Sequence, residues 1–271
     1  MPLFDTHAHL DDDQFSDVAK IIDQAREAGV EQIVAIGTTA ESSRACVEIA
    51  HRFDGIYAAV GIQPNYTHEV QDGDWQQIND LANDAKVVAI GETGLDHYWD
   101  YAELGIQRDF FRRHMRLALD TQKPLVIHMR DPKVEKGEPP SDRCAQEIYS
   151  ELSQFAAGSP VSGIMHSYTG DGEMAARFLE LGLHISFAGM VTFKNSHELR
   201  AVAKQIPDDR ILIETDSPYL SPHPARGTRP NSPALMTHTA NCLSEVRATP
   251  YEAFVAQTTQ NARKLFQVAS A

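Results

Sequence analysis

The sequence predicts an α/β fold: a (β/α)8 barrel of the TIM type, with a metal site at its C-terminal rim. Three observations carry that expectation. Short apolar runs recur along the whole 271-residue chain, helix-like stretches separate them, and histidines and carboxylates fall where the runs end. Eight strands alternating with helices imply a parallel sheet. Eight such units close naturally into a barrel, and a doubly wound open sheet is the alternative.

The strand-like runs are, in order, "LFDTH", "QIVAIGT", "IYAAVGI", "VVAIGET", "PLVIHMR", "SGIMHSY", "LHISFAG" and "ILIETDS". Each is rich in β-branched residues and ends in polar residues or glycine. Runs of this kind read as strands buried on both faces. Between them, "FSDVAKIIDQAREAG" places apolar residues at Phe15, Val18, Ile21, Ile22 and Ala25 and stops at Gly29, as an amphipathic helix does. "IQRDFFRRHMRLALDTQ" and "DGEMAARFLELG" behave alike, the second closing at Gly182. "NSHELRAVAKQI" ends before Pro207. The last segment, "TPYEAFVAQTTQNARKLFQVA", reads as one helix or as two broken at Thr-Gln-Asn.

With 42% hydrophobic and 23% charged residues the chain can bury a sizeable core, and barrels near this length are commonly one domain, here expected over residues 1–271. The formal net charge of −14 argues against a general grip on a nucleic-acid backbone. It leaves room for a local basic or metal-charged cleft. Cys46, Cys144 and Cys242 lie far apart, which suits a reducing compartment. The start lacks a signal-peptide pattern, and no apolar run approaches the roughly 20 residues that span a bilayer. The expectation is a soluble, cytoplasmic protein without a membrane partner. No GxGxxG or P-loop follows any strand, so nucleotide cradling has no support.

The chemistry-bearing residues cluster by position. In a strand, i and i+2 point the same way, so His7 and His9 converge just past the first strand. Other strand ends supply Glu92, His128, His166 and Asp216, and in a barrel all of these face one rim. Imidazole with carboxylate suits Zn²⁺, Mn²⁺, Fe²⁺ or Ni²⁺, whereas Mg²⁺ prefers more oxygen. Six ligands exceed the need of one catalytic ion and suit two ions about 3.5–4 Å apart sharing a carboxylate. A lone strand-end histidine is more often structural; six ligand types at the ends of five strands are not explained that way. His51, His114, His197 and His238 lie in helical stretches and read as surface or packing residues, and His184 begins a strand and points away from the rim. His68, His97 and His223 lie in rim loops.

"FDTHAHLD", "GETGLD", "PLVIHMRD", "MHSYTG", "ILIETDSPYLSP", "RGTRPNSP" and "NARKLF", in that order, resemble the TatD family of metal-dependent deoxyribonucleases, which belongs to the amidohydrolase-like barrels. The resemblance runs from Phe4 to Phe266. It implies a hydrolase with two divalent ions, Mg²⁺, Mn²⁺ or Zn²⁺, acting on DNA strand ends as a 3′-to-5′ exonuclease. His7, His9 and Asp216 would hold one ion, His128 and His166 the second, and Glu92 would bridge them. On chemical grounds Asp216, a rim carboxylate touching an ion, is the candidate to take the proton of the attacking water, the alternative being a ligand alone. Three departures bear on substrate choice: Gln63 in "GIQPN", His97 in "GETGLDHYWD", and a longer loop, "DPKVEKGEPPSDRC".

Among rim residues, Arg130, Arg226 and Arg229 are candidates for phosphate, Gln63 and His97 for other substrate contacts, and Tyr98, Trp99, Tyr168 and Tyr219 for base stacking. The loop at 131–144 is expected to restrict access, favouring single-stranded ends. Two other functions compete. One is a D-aminoacyl-tRNA deacylase or another ester or amide hydrolase on the same scaffold. The other is a non-catalytic binding protein. Fold alone does not decide among them. A strand-4 glutamate where wider relatives carry a carboxylated lysine favours the nuclease, and a complete ligand set argues against a pure scaffold.

Overall fold

A computed structural model describes residues 2–134 and 141–269. Eight strands, β1 (Leu3–Ala8), β2 (Val30–Ile36), β3 (Ile56–Val60), β4 (Val87–Asp96), β5 (Leu125–Arg130), β6 (Gly163–Met165), β7 (His184–Phe187) and β8 (Ile211–Ile213), form one sheet in sequence order. Every neighbouring pair is parallel. A doubly wound sheet would depart from sequence order. Here the ends meet instead: Ala8 pairs with Ser217, the Asp216 N–H donates to His7 O at 2.9 Å, and the His9 N–H donates to Ser217 O at 2.7 Å. The sheet thus closes into a TIM-type barrel at the edge where the ligand-type residues stand.

The helices are α1 (Val18–Glu27), α2 (Ala40–Arg52), α3 (Asp74–Leu81), α4 (Leu104–Thr121), α5 (Arg143–Ala156), α6 (Gly172–Glu180), α7 (His197–Gln205), α8 (Met236–Val246) and α9 (Tyr251–Phe266). The two faces of the strands separate cleanly. Leu3, Ile33, Ala58, Val87, Leu125, Met165 and Ile211 join the core beneath the helices. Phe4, Val34, Ala59, Val88, Val126, Ile164 and Leu212 form a second cluster inside the barrel, which Ala262, Leu265 and Phe266 of α9 complete. This is the period-2 division of a strand buried on both sides.

The helix α9 is continuous through Thr-Gln-Asn. Its polar residues are paired rather than helix-breaking: Thr258 donates to Phe254 O at 3.1 Å, and Asn261 Nδ2 donates to Asp208 O at 2.7 Å and Ile211 O at 2.9 Å. Tertiary hydrogen bonds override a weak local propensity.

Two buried histidines give the fold a pH signature. His114 in α4 donates from Nδ1 to Phe110 O at 2.6 Å and accepts the Ile62 N–H on Nε2 at 2.9 Å. That pair of bonds requires the neutral ring, and burial holds His114 down at about 4. Burial and the nearby Arg210 hold His184 at about 4 as well. An unfolded histidine titrates near 6.5. As pH falls from about 6.5 to 4, the unfolded chain therefore binds protons that the folded chain refuses, and stability falls, by about 3 kcal/mol for each ring across the window. Urea unfolding at pH 7.5 and 4.5 should show this loss. The loss should shrink in His114→Gln, and an identical pH dependence in that variant would refute the assignment.

Candidate metal centre

The inward face of each strand is apolar low in the barrel and polar at the rim. Val126 is followed two residues later by His128, Ile164 by His166, and Leu212 by Glu214 and then Asp216. Glu92 lies between Gly91 (φ 145°) and Gly94 (φ 133°), where any side chain would meet Val126 O at 2.5 Å or His128 O at 2.1 Å. Only glycine lets β4 pass this close to β5. Asp216 adopts a left-handed backbone (φ 53°), which aspartate tolerates better than most residues.

The structure brings all six predicted ligands together. His7 Nε2 stands 3.2 Å from His9 Nε2, 3.5 Å from Glu92 Oε2 and 3.6 Å from Asp216 Oδ1. His9 Nε2 is 3.7 Å from the same Glu92 oxygen and 3.5 Å from the same Asp216 oxygen. Four ligands about 2.1 Å from a tetrahedral ion stand about 3.4 Å apart, so these spacings fit an ion. The other oxygen, Glu92 Oε1, is 2.7 Å from His128 Nδ1 and 3.2 Å from His166 Nε2, which are 3.4 Å from each other. Glu92 thus turns one oxygen to each of two donor groups.

The electrostatics favour positive charge at this point. Burial alone would raise the Glu92 carboxyl, but His166, His128 and His7 outweigh it and hold Glu92 well below the usual range. Asp216 is held down in the same way, chiefly by His9 against the effect of burial. In return, the carboxylates overcome burial and push His9 up to about 9 and His128 and His166 upward. His7 goes down, through burial and the neighbouring His166. Protons thus collect on imidazoles wherever no other cation balances the carboxylates, as expected of a cation site.

A second layer, not anticipated from the sequence, orients these rings. The far nitrogen of His9 lies 3.2 Å from Ile36 O, that of His128 lies 2.9 Å from Asp96 Oδ2, and that of His166 lies 3.5 Å from Glu214 Oε1. Such partners fix the ring and strengthen the ligand. Glu214 is fully buried, accepts the Ser167 N–H at 2.6 Å, and with His7 and His166 forms a further donor group overlapping the first two. Asp5 is buried too and accepts the Thr215 N–H at 2.9 Å and hydroxyl at 2.6 Å, pinning β1 to the strand-8 exit. Glu214 stands two residues before Asp216, which was the available signal. Glu214→Gln keeps an acceptor for Ser167 but loses the charge. It should weaken metal affinity about 10–100-fold, as read by calorimetric titration; unchanged affinity would reduce Glu214 to a packing residue.

These groups open into a cleft of about 1050 Å³, whose walls include Gln63, Arg130, Arg229, Trp99 and Tyr219. Four predicted substrate contacts are placed elsewhere. Arg226 stacks on Phe193 with its guanidinium 4.2 Å from the ring centre, outside the cleft. His97 turns its Nε2 to Glu147 of α5 at 3.3 Å because a carboxylate waits there. Tyr98 lies beneath Arg130, 4.2 Å from its guanidinium, and does not line the cleft. Tyr168 is fully buried and donates to Asp171 O at 2.7 Å, so it packs rather than stacks on a ligand. His68 reaches the cleft and His223 does not. Residues 135–140 of the long loop after β5 lie outside the described residues.

Residues 4–267 match the family TatD related DNase. The chain belongs to the TatD family. This TatD-family chain is 38% identical over 267 residues to YabD of Bacillus subtilis (strain 168), an uncharacterized metal-dependent hydrolase, covering 98% of this chain and 99% of that one. It is 30% identical over 272 residues to the 3′-5′ ssDNA/RNA exonuclease TatD of Yersinia pseudotuberculosis, covering 98% and 100%. Its structure superposes on the crystal structure of the TatD homolog YjjV of Escherichia coli K12 with a TM-score of 0.88 at 27% identity, covering 98% of each chain. The family is one of metal-dependent hydrolases, and the donor groups described above accord with divalent metal. No helix among the described residues is long and apolar enough to cross a membrane.

Proposed function

We propose that the protein hydrolyses phosphodiester bonds at the ends of DNA strands, releasing nucleotides in the 3′-to-5′ direction with two divalent ions. The observation that carries this reading is Glu92, whose two oxygens face two separate imidazole groups, as a shared ligand of an ion pair would. Bound ions of this kind lower the pKa of water and neutralise charge on a phosphoryl group. His7, His9, Asp216 and Glu92 would hold one ion, and Glu92, His128 and His166 the other. Arg130 and Arg229, on the wall of the same cleft, bind phosphate. Asp216, ionised and only 13% exposed in its side chain, takes a proton from water. The exonuclease named in Yersinia supports the substrate class, and the buried, unpaired thiols of Cys46 and Cys144 accord with a cytoplasmic location.

The test is to strip the protein of metal and reload it with Mg²⁺, Mn²⁺ or Zn²⁺. Each form is then assayed on end-labelled single-stranded DNA, duplex DNA and D-aminoacyl-tRNA. Stepwise release of nucleotides from 3′ ends is expected, fastest on the single strand. Cleavage of the aminoacyl ester alone would replace this reading with deacylation.

A further inference from the structure

The rim loop after β4 carries an exposed aromatic pair that neither the metal centre nor the core uses. Trp99 is 41% and Tyr101 55% exposed, and both line the cleft that contains Glu92 and His128. Their rings are already stacked on one another, 5.4 Å apart and 18° from coplanar. The Arg130 guanidinium lies 5.6 Å from the Trp99 ring centre and covers Tyr98 beneath it. The loop is not loosely held. Asp96 Oδ1 accepts the Tyr98 N–H at 2.8 Å and the Trp99 N–H at 3.0 Å, while its other oxygen is the partner of His128. One carboxylate therefore sets both a proposed metal ligand and the aromatic pair.

The wall formed by the loops after β1 and β3 has a different character. Asp11, Asp12 and Glu69 line it, and Asp12 accepts the Tyr219 hydroxyl at 3.0 Å. A polyanion entering the cleft is repelled there and attracted to the Arg130 side.

We infer that Trp99 and Tyr101 form a stacking platform for a nucleobase of the bound strand, with Arg130 holding the phosphate beside it. This rests on the nucleic-acid reading above. Aromatic faces accept any base, so the platform selects unpaired over paired strands without reading sequence. A base in duplex is already stacked and cannot cover the indole. The acidic wall disfavours a second length of backbone, so the strand departs along the walls that carry Arg130 and Arg229. The platform thereby gives the enzyme its preference for a single-stranded end.

The experiment uses the full-length protein with Trp75→Phe, which leaves Trp99 as the remaining indole of the two in the chain. Its emission is followed during titration with a phosphorothioate hexathymidylate and with the abasic oligomer of equal length and charge. The base-bearing oligomer should quench Trp99 and bind about 5- to 100-fold more tightly than the abasic one. Trp99→Ala should remove that difference. Arg130→Gln should weaken both oligomers alike and lower the salt dependence by about one phosphate contact. Equal affinity for the two oligomers without quenching overturns the platform, and this comparison needs no Trp99 variant to fold. Hydrolysis bears separately on the function: quenching with no phosphodiester cleavage under any metal leaves the platform standing and removes the nuclease reading, whereas cleavage without base dependence does the reverse.

Discussion

Glu92→Ala should cost both ions and on the order of 10³-fold in kcat/KM, which corresponds to about 4 kcal/mol of lost transition-state stabilisation. The reason is geometric. Oε2 closes the group of His7, His9 and Asp216, and Oε1 closes the group of His128 and His166. Glu214 approaches one ring of each, His7 and His166, but Glu92 turns a separate oxygen to each group. His128→Ala removes a donor from the second group and should mainly weaken one ion. Elemental analysis after metal titration separates the two variants: two ions per chain in the parent, defects at both sites in Glu92→Ala, and a defect at one in His128→Ala. The fold should survive, because Glu92 is a buried carboxylate whose removal also ends a desolvation cost. Circular dichroism checks that. Full second-site occupancy in Glu92→Ala would show that the carboxylate does not bridge.

Much of this centre is legible in the sequence because a barrel converts position along the chain into position in space. His128 follows Val126 on the inner face of β5, and His166 follows Ile164 on that of β6, so strand ends alone bring them to one rim. The register of Glu92 between two glycines that no other residue can replace is equally local. The second layer is a different matter. Asp96 reaches its histidine from the neighbouring strand and Glu214 from two strands away, and which carboxylate turns inward depends on rotamers and on bonds to Ser167 and Asn65 far along the chain. The rim loops were the least readable part. Nothing in "DHYWDY" tells that His97 finds Glu147 on a later helix, that Tyr98 is covered by Arg130, or that Trp99 and Tyr101 remain exposed. Tyr168 misleads in the other direction, since it stands two residues after His166 and yet is consumed by packing. Loop side chains settle on whichever distant partners the scaffold supplies, and a spacing rule carries no information about those.

Asp216→Asn should lower kcat about 10²- to 10⁴-fold even at saturating metal and leave KM nearly unchanged, the signature of a lost general base beyond a weakened ligand. Asparagine is the informative replacement. It tolerates the left-handed backbone at φ 53°, which alanine would strain, and its amide oxygen can still face His7 and His9. The backbone around it is held independently, by the Asp216 N–H on His7 O at 2.9 Å and the Tyr219 N–H on Asp216 O at 2.9 Å. What changes is the charge and the capacity to accept a proton. His9, against burial, keeps the native carboxyl ionised, so in the parent it is ready to accept a proton across the neutral range. A residue that only holds an ion predicts a different pattern. Excess metal would then restore turnover along with occupancy. Activity of Asp216→Asn that returns to the parent value at saturating metal would therefore remove the base assignment and leave Asp216 as a ligand alone, with the proton passing to another acceptor in the cleft.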